Sequence, residues 1–263
     1  MRPLFAMLVI VCLVLPARAE EVDVELLLLV DVSRSMSPGE LEIQRRGYAE
    51  ALRSDAVFAA IRSGLLARVA VSYVEWAGQG TQRVVVDWRL LETRADLAAF
   101  SDALANAFNP ALRRTSISSA LTFGAGSIRD NAYQGLRRVI DVSGDGPNNA
   151  GAPVLRARDA VLAEGIVING LPLMTREGTG SQWHLDDLDA YYRNCVIGGP
   201  GAFVIPVTDW AGFAQAVRRK LVLEIAALPV SPLIKAQYRA NPPYDCLIGE
   251  KIWERNRRFW DEP

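Results

Sequence analysis

The sequence predicts an α/β domain: an open, doubly wound, mostly parallel sheet with one antiparallel edge strand and helices on both faces. Three observations predict it. Apolar runs of strand length alternate with segments whose apolar residues recur at helical spacing. The run Val22–Val32 is almost unbroken Leu and Val, the pattern of a central strand covered on both sides. The apolar segments Arg68–Trp76 and Thr81–Trp88 are joined by Gly78-Gln79-Gly80, a short connection that suits an antiparallel hairpin at one side of the sheet.

After the first strand, Ser37-Pro38-Gly39-Glu40 combines an N-cap residue, proline at the first helical position and Glu three residues after the cap. It predicts a helix carrying Leu41, Tyr48 and Leu52 inward. A second short helix includes Val57–Ile61, and Asp96–Phe108 carries Leu97, Phe100, Leu104 and Phe108 on one face, ending at Asn109-Pro110. Ser116–Arg129 reads as a helix whose Gly124 and Gly126 allow close packing on the sheet. Val139–Ser143 is the next strand, Val154–Glu164 a helix, Ile166–Leu173 a strand and Phe203–Val207 a last strand. Thr208 is expected to cap a final helix bearing Trp210, Phe213, Val217, Leu221 and Ile225. Thr175–Ala202 is a long Gly-rich insertion, with Leu185–Cys195 expected to form one short helix.

The N-terminus reads separately. Arg2, the apolar run Leu4–Leu15 and Pro16-Ala17-Arg18-Ala19 have the form of a secretory signal peptide over residues 1–19. The domain is then expected at 20–226, followed by a Pro- and aromatic-rich tail at 227–263 that docks on it. The leader holds two of the 29 basic residues, Arg2 and Arg18, so the remainder keeps 27 against 30 acidic ones. Such a balance gives no general attraction to nucleic acid, and beyond the leader no apolar run is long enough to span a membrane. The chain is expected to be exported, to the periplasm or outside the cell.

Three cysteines are present. Cys12 lies in the leader after Val11, a poor context for lipid attachment. Cys195 and Cys246 remain, and for a chain bound for an oxidising compartment two readings stay open: a disulfide tying the tail to the domain, or two unpaired buried thiols.

The chemistry is carried by Asp31-Val32-Ser33-Arg34-Ser35, which sets one carboxylate and two hydroxyls just past a buried strand. These are hard oxygen donors suited to Mg2+, Mn2+ or Ca2+. Ligands of open α/β sheets bind beyond the carboxyl ends of strands, where Asp145 also falls and where a loop can bring Thr115. Taken alone, Asp31–Ser35 reads more readily as a strand-end turn of locally hydrogen-bonded polar residues.

With Thr115 in T-S-I-S-S-A-L and Asp145 in S-G-D-G, the set resembles the metal-ion-dependent adhesion site of von Willebrand factor type A (vWA) domains. The resemblance extends over Val22 to about Ala226. It implies that Ser33, Ser35 and Thr115 contact a divalent cation directly, most simply Mg2+, with Asp31 and Asp145 acting largely through water. It further implies that an acidic side chain of a protein or peptide partner fills the open position. Gly144 departs from the family, which commonly has Thr there. The stretch Tyr191–Phe203 further resembles a bacterial group of secreted vWA-like proteins of unestablished function.

Catalysis finds less support. His184 is the single histidine and has no nucleophile motif beside it, and there is no phosphate-binding GxxxxGK loop or zinc-type Cys/His spacing. Asp186, Asp187 and Asp189 read as a solvated acidic helix face, and Asp141 and Ser143 as packed strand residues. The expectation is a non-enzymatic, partner-binding vWA domain. The alternatives are a metal-dependent hydrolase using the same ion and a scaffold module with a vestigial site.

Overall fold

The strand β1 (Glu20–Asp31) is the hub of the sheet, and its side chains divide the core. Val24, Leu26, Leu28 and Val30 enter one apolar layer and Leu27 and Leu29 the other, as the two-residue period of a strand requires. All six are fully buried, each stabilising by about 1.5–3 kcal/mol relative to exposure. The computed structural model describes residues 19–106, 112–175, 184–226 and 244–261, with side chains in the last segment described to 256. Leader residues 1–18 and the Pro-rich stretch 227–243 lie outside the described residues, as do Phe108 and Pro110.

Five strands are ordered β3-β2-β1-β4-β5. β2 (Val69–Trp76), β4 (Tyr133–Gly144) and β5 (Val167–Pro172) run parallel to β1, and β3 (Arg83–Leu91) pairs antiparallel with β2 at the edge. One face is covered by α1 (Pro38–Leu52), α2 (Asp55–Arg62), α3 (Arg94–Ala105) and α7 (Phe213–Ala226). The other is covered by α4 (Ile117–Arg129), α5 (Val154–Ala163) and α6 (Leu188–Tyr191), which continues as a π-helical turn over Tyr192–Val196. α8 (Ile248–Asp261) follows the last loop. No helix among the described residues is long and apolar enough to cross a membrane.

Local signals place the helices. Ser37 and Glu40 form the capping box of α1, and Thr93 with Asp96 forms that of α3. In α4, a Cβ on Gly124 would sit 3.0 Å from both Leu27 and Ile140, so glycine lets this helix lie close on the sheet; Gly126 faces open space and has no such role.

Four expectations need correction. Phe203–Val207 is not a strand of the sheet: it follows β5 through two isolated bridges, Gly170 to Val204 and Leu173 to Val207. Its backbone bonds are otherwise those of a parallel pair, with Gly170 N donating to Phe203 O and Ile205 N to Gly170 O, then Val207 N to Pro172 O and Met174 N to Val207 O. The missing rung is the one Pro172 would donate, and proline has no N–H. Thr208 does not cap the final helix; the chain first turns at Asp209, whose carboxylate accepts from Gly212 N at 2.7 Å, and α7 begins at Phe213. The expected helix over Leu185–Cys195 is the short α6 and its π turn. β4 begins at Tyr133, because β1 starts early enough for Glu20 to pair with Tyr133; the half-exposed, charged segment Tyr133–Arg138 shows no apolar run.

Candidate metal centre

Asp31 ends β1 on the side of the sheet that carries Leu27 and Leu29, and it is fully buried. Its Oδ1 accepts a hydrogen bond from Ser33 N at 2.8 Å, which folds the chain back over the strand end. The Ser33 and Ser35 hydroxyls lie 2.9 Å apart, and Ser35 Oγ donates to Asp145 Oδ1 at 2.8 Å. The first loop is thereby joined to the turn after β4. Gln44 on α1 holds the base of the site: its Nε2 donates to Asp31 O at 2.9 Å, and its Oε1 accepts from Ser143 Oγ at 3.3 Å.

Thr115 arrives from a third segment. Leu112 N donates to Val32 O, and Ser33 bridges to Leu112, so the loop before α4 runs alongside the first. Thr115 N donates to Asn149 Oδ1 at 3.0 Å while Asn149 N donates to Thr115 O at 2.8 Å, a reciprocal clamp between this loop and the one carrying Asp145. Arg114, immediately before, has a φ of 72°, a left-handed conformation that costs a non-glycine residue about 1–3 kcal/mol. Ser35, Thr115, Asp145 and His184 line one cavity of about 20 Å3, room for a single water-sized occupant.

The electrostatics disfavour two bare carboxylates at this point. Burial, reinforced by repulsion from Asp145, pushes the Asp31 carboxyl well above its ordinary range. Burial also raises Asp145, against the pull of the Ser35 hydrogen bond and of nearby His184. Asp31 Oδ2 is buried without a hydrogen-bond partner among the described residues, an arrangement that costs about 1–3 kcal/mol unless something compensates it. No group of three or more His, Cys, Asp or Glu that could hold a metal ion gathers among the described residues. A cation here would depend on the hydroxyls of Ser33, Ser35 and Thr115, which favours hard ions over zinc or copper. The donors present fit such an ion.

Gly144 acquires a reason. A Cβ there would lie 2.9 Å from Tyr192 Oη and 3.0 Å from Asp31 Oδ2. Tyr192, fully buried, fills the space a side chain at 144 would need.

Several contributors escaped the sequence reading. Gln44 sits on a helix face otherwise read by its apolar residues. Asn148 accepts from Ser118 N at 3.0 Å and donates from Nδ2 to Ala152 O and to Glu250 Oε1, at 3.2 and 2.7 Å. Glu40, beyond its capping role, accepts from Trp210 Nε1 at 2.9 Å and pins the loop before α7 beside the site. Only Glu40 had a signal in the sequence, its place in the capping box.

The remaining candidates disperse. Asp189 pairs with Arg193 at 2.5 Å on the helix surface. Asp141 is buried against Lys220 at 2.7 Å, and Lys220 also contacts Glu224. Cys195 and Cys246 form a disulfide, with Cα atoms 5.5 Å apart.

Solved structures share this architecture. Proximal thread matrix protein 1 from the mussel byssus is 14% identical with a TM-score of 0.54, over 80% of this chain and 49% of that one. A von Willebrand factor type A protein from Catenulispora acidiphila is 18% identical, with a TM-score of 0.53 over 78% and 43%. The pilus adhesin SpaC from Lactobacillus rhamnosus GG is 10% identical, with a TM-score of 0.53 over 79% and 32%. The chain thus spans half or less of each of these structures, and at such identities the likeness is one of fold: a vWA-like domain. A further form of the byssus protein is described with a zinc-occupied MIDAS motif. No curated protein matches the chain in sequence. The family model described as protein of unknown function (DUF1194) matches residues 21–229, and the chain belongs to that family.

Proposed function

We propose that this protein is an exported, non-enzymatic vWA domain that captures a protein or peptide partner through a divalent cation held by Asp31, Ser33, Ser35, Thr115 and Asp145. One observation carries the reading: hydrogen bonds link Asp31, Ser33, Ser35 and Asp145 at the strand ends, Thr115 lines a cavity with Ser35 and Asp145, and Asp31 Oδ2 lacks a partner among the described residues. Mg2+ fits this donor set best, and Mn2+ or Ca2+ is the substitute. The neutral hydroxyls leave the dication incompletely neutralised, so it attracts an external anion. A partner's Asp or Glu replaces one bound water and makes the ion a bridge.

The vWA-like fold shared with an adhesin and with a byssus matrix protein supports capture over turnover. The signal-like leader supports export. Thermal unfolding with and without millimolar Mg2+, Mn2+ or Ca2+ tests the ion: stabilisation reversed by chelator and lost in Asp145→Ala is expected. Absence of any shift sinks the reading. Crosslinking capture from the native cell envelope, with and without chelator, tests the partner, and capture indifferent to chelator points to a scaffold role.

A further inference from the structure

The ion cavity has a wall that the vWA resemblance does not supply. Besides Ser35, Thr115, Asp145 and His184, it is lined by Gly249 and Ile252 of α8. This helix is held on the same loops that carry the candidate ligands. A Cβ on Gly249 would lie 2.0 Å from Asn148 O, so the helix backbone rests directly on the loop after Asp145. Glu250 Oε1 accepts from Asn148 Nδ2, and Arg114, the strained residue before Thr115, lies over the Trp253 ring at 3.7 Å. Ahead of the helix, Cys246 is bonded to Cys195, and Tyr244 packs edge-on against Tyr191, whose hydroxyl accepts from Asn148 N.

Asp145 and His184 also line a groove of about 430 Å3, whose other walls include Leu173, Met174 and Leu185. The two spaces share Asp145 and His184, and α8 lines only the first.

We infer that α8 is a specificity-determining wall of the ion site: Gly249 and Ile252 restrict approach to slender carboxylates entering from the groove, such as an acidic side chain on an extended peptide, and exclude bulky acids. This rests on the proposed ion, and the test separates the two. The full-length disulfide-bonded protein is titrated with Mn2+, and relaxation of water protons by the bound ion reports its coordinated water. Acetate and triphenylacetate are then added as probes.

In the native protein acetate should displace water at a concentration about tenfold lower than triphenylacetate does, equivalent to about 1.4 kcal/mol. Two independent changes release the wall: Cys195→Ser with Cys246→Ser removes the tether, and Gly249→Val forces the helix off Asn148. Whichever variant keeps its Mn2+ affinity should lose most of the discrimination; if neither keeps it, α8 is part of the fold of the site and not a gate on it, and the inference fails. Equal action of both probes on the native protein, or discrimination surviving release, also overturns it. Failure of Mn2+ to bind the native protein instead overturns the ion itself.

Discussion

Two buried acidic pairs lie within a few residues of each other around β4, and they are neutralised differently. Inside the strand, Asp141 faces the layer under α7, where Lys220 reaches both it and Glu224, and Asn169 Nδ2 donates to Glu224 Oε1 at 3.0 Å. Beyond the strand end, Asp31 accepts from Ser33 and Asp145 from Ser35, with His184 nearby, and among the described residues neither pairs with a lysine or arginine. The first cluster carries its own cation and knits β4, β5 and α7 together. The second has no such lysine among the described residues, and it is there that the proposed ion would sit. The contrast separates a structural ionic cluster from a candidate binding site more sharply than burial does, since all four carboxylates are buried.

The comparison can be broken most forcefully at Lys220. Lys220→Met should cost about 3–5 kcal/mol in urea unfolding, because it strands two acids in the core, yet leave stabilisation by a divalent ion intact. A loss below about 1 kcal/mol, a surface-pair value, would mean the cluster is no ionic anchor. Next in size is the ion itself. Mg2+ or Mn2+ at a hundred times its Kd should add about 2.7 kcal/mol, read as a Tm rise of roughly 5–10 °C for a domain of this size. Asp145→Ala should abolish that rise while Lys220→Met does not.

A pH profile sharpens the contrast further. Burial, with repulsion from Asp141, raises Glu224 from its ordinary 4.5 to about 7, against the opposing pull of Lys220. Between those values the folded chain holds more protons than the unfolded one, so this group's contribution to stability falls as pH rises from about 4.5 to about 7 and is level above. Two acids sharing one ammonium explain why a proton is retained. Glu224→Gln should flatten that stretch of the Tm profile; an unchanged slope would assign it elsewhere. The smallest expected effect is at Gln44. Gln44→Leu leaves Asp31 O without its donor, costing about 1–2 kcal/mol, and should weaken ion binding measured by calorimetry. Unaltered affinity would remove Gln44 from the site.

Much of this was legible in the residues. The apolar run before Asp31 located the central strand, and its end located the first loop of the candidate site; Thr115 and Asp145, singled out by order and context, line one cavity with Ser35. What was not legible depended on pairings distant in sequence. Gln44 reaches Asp31 and Ser143 across the helix-sheet interface, and Asn148 reaches α8 more than a hundred residues later. Tyr133–Arg138 is a strand only because Glu20–Glu25 runs beside it. Phe203–Val207 looked like a strand by its own composition, and Pro172 on its neighbour prevented it. The space for Tyr192 beside Gly144 became visible only once the π turn was placed over β4.

That interrupted rung has a consequence for how the molecule meets others. A sheet edge with regular free donors and acceptors invites a foreign strand to add itself, the commonest route to unintended self-association of β-structure. Here one flank is overlaid by Phe203–Val207 on a ladder that proline has broken. The other flank, β3, carries Arg83, Asp87 and Arg89 and pairs with β2 through an irregular register. Both margins of the described sheet therefore discourage backbone-to-backbone addition.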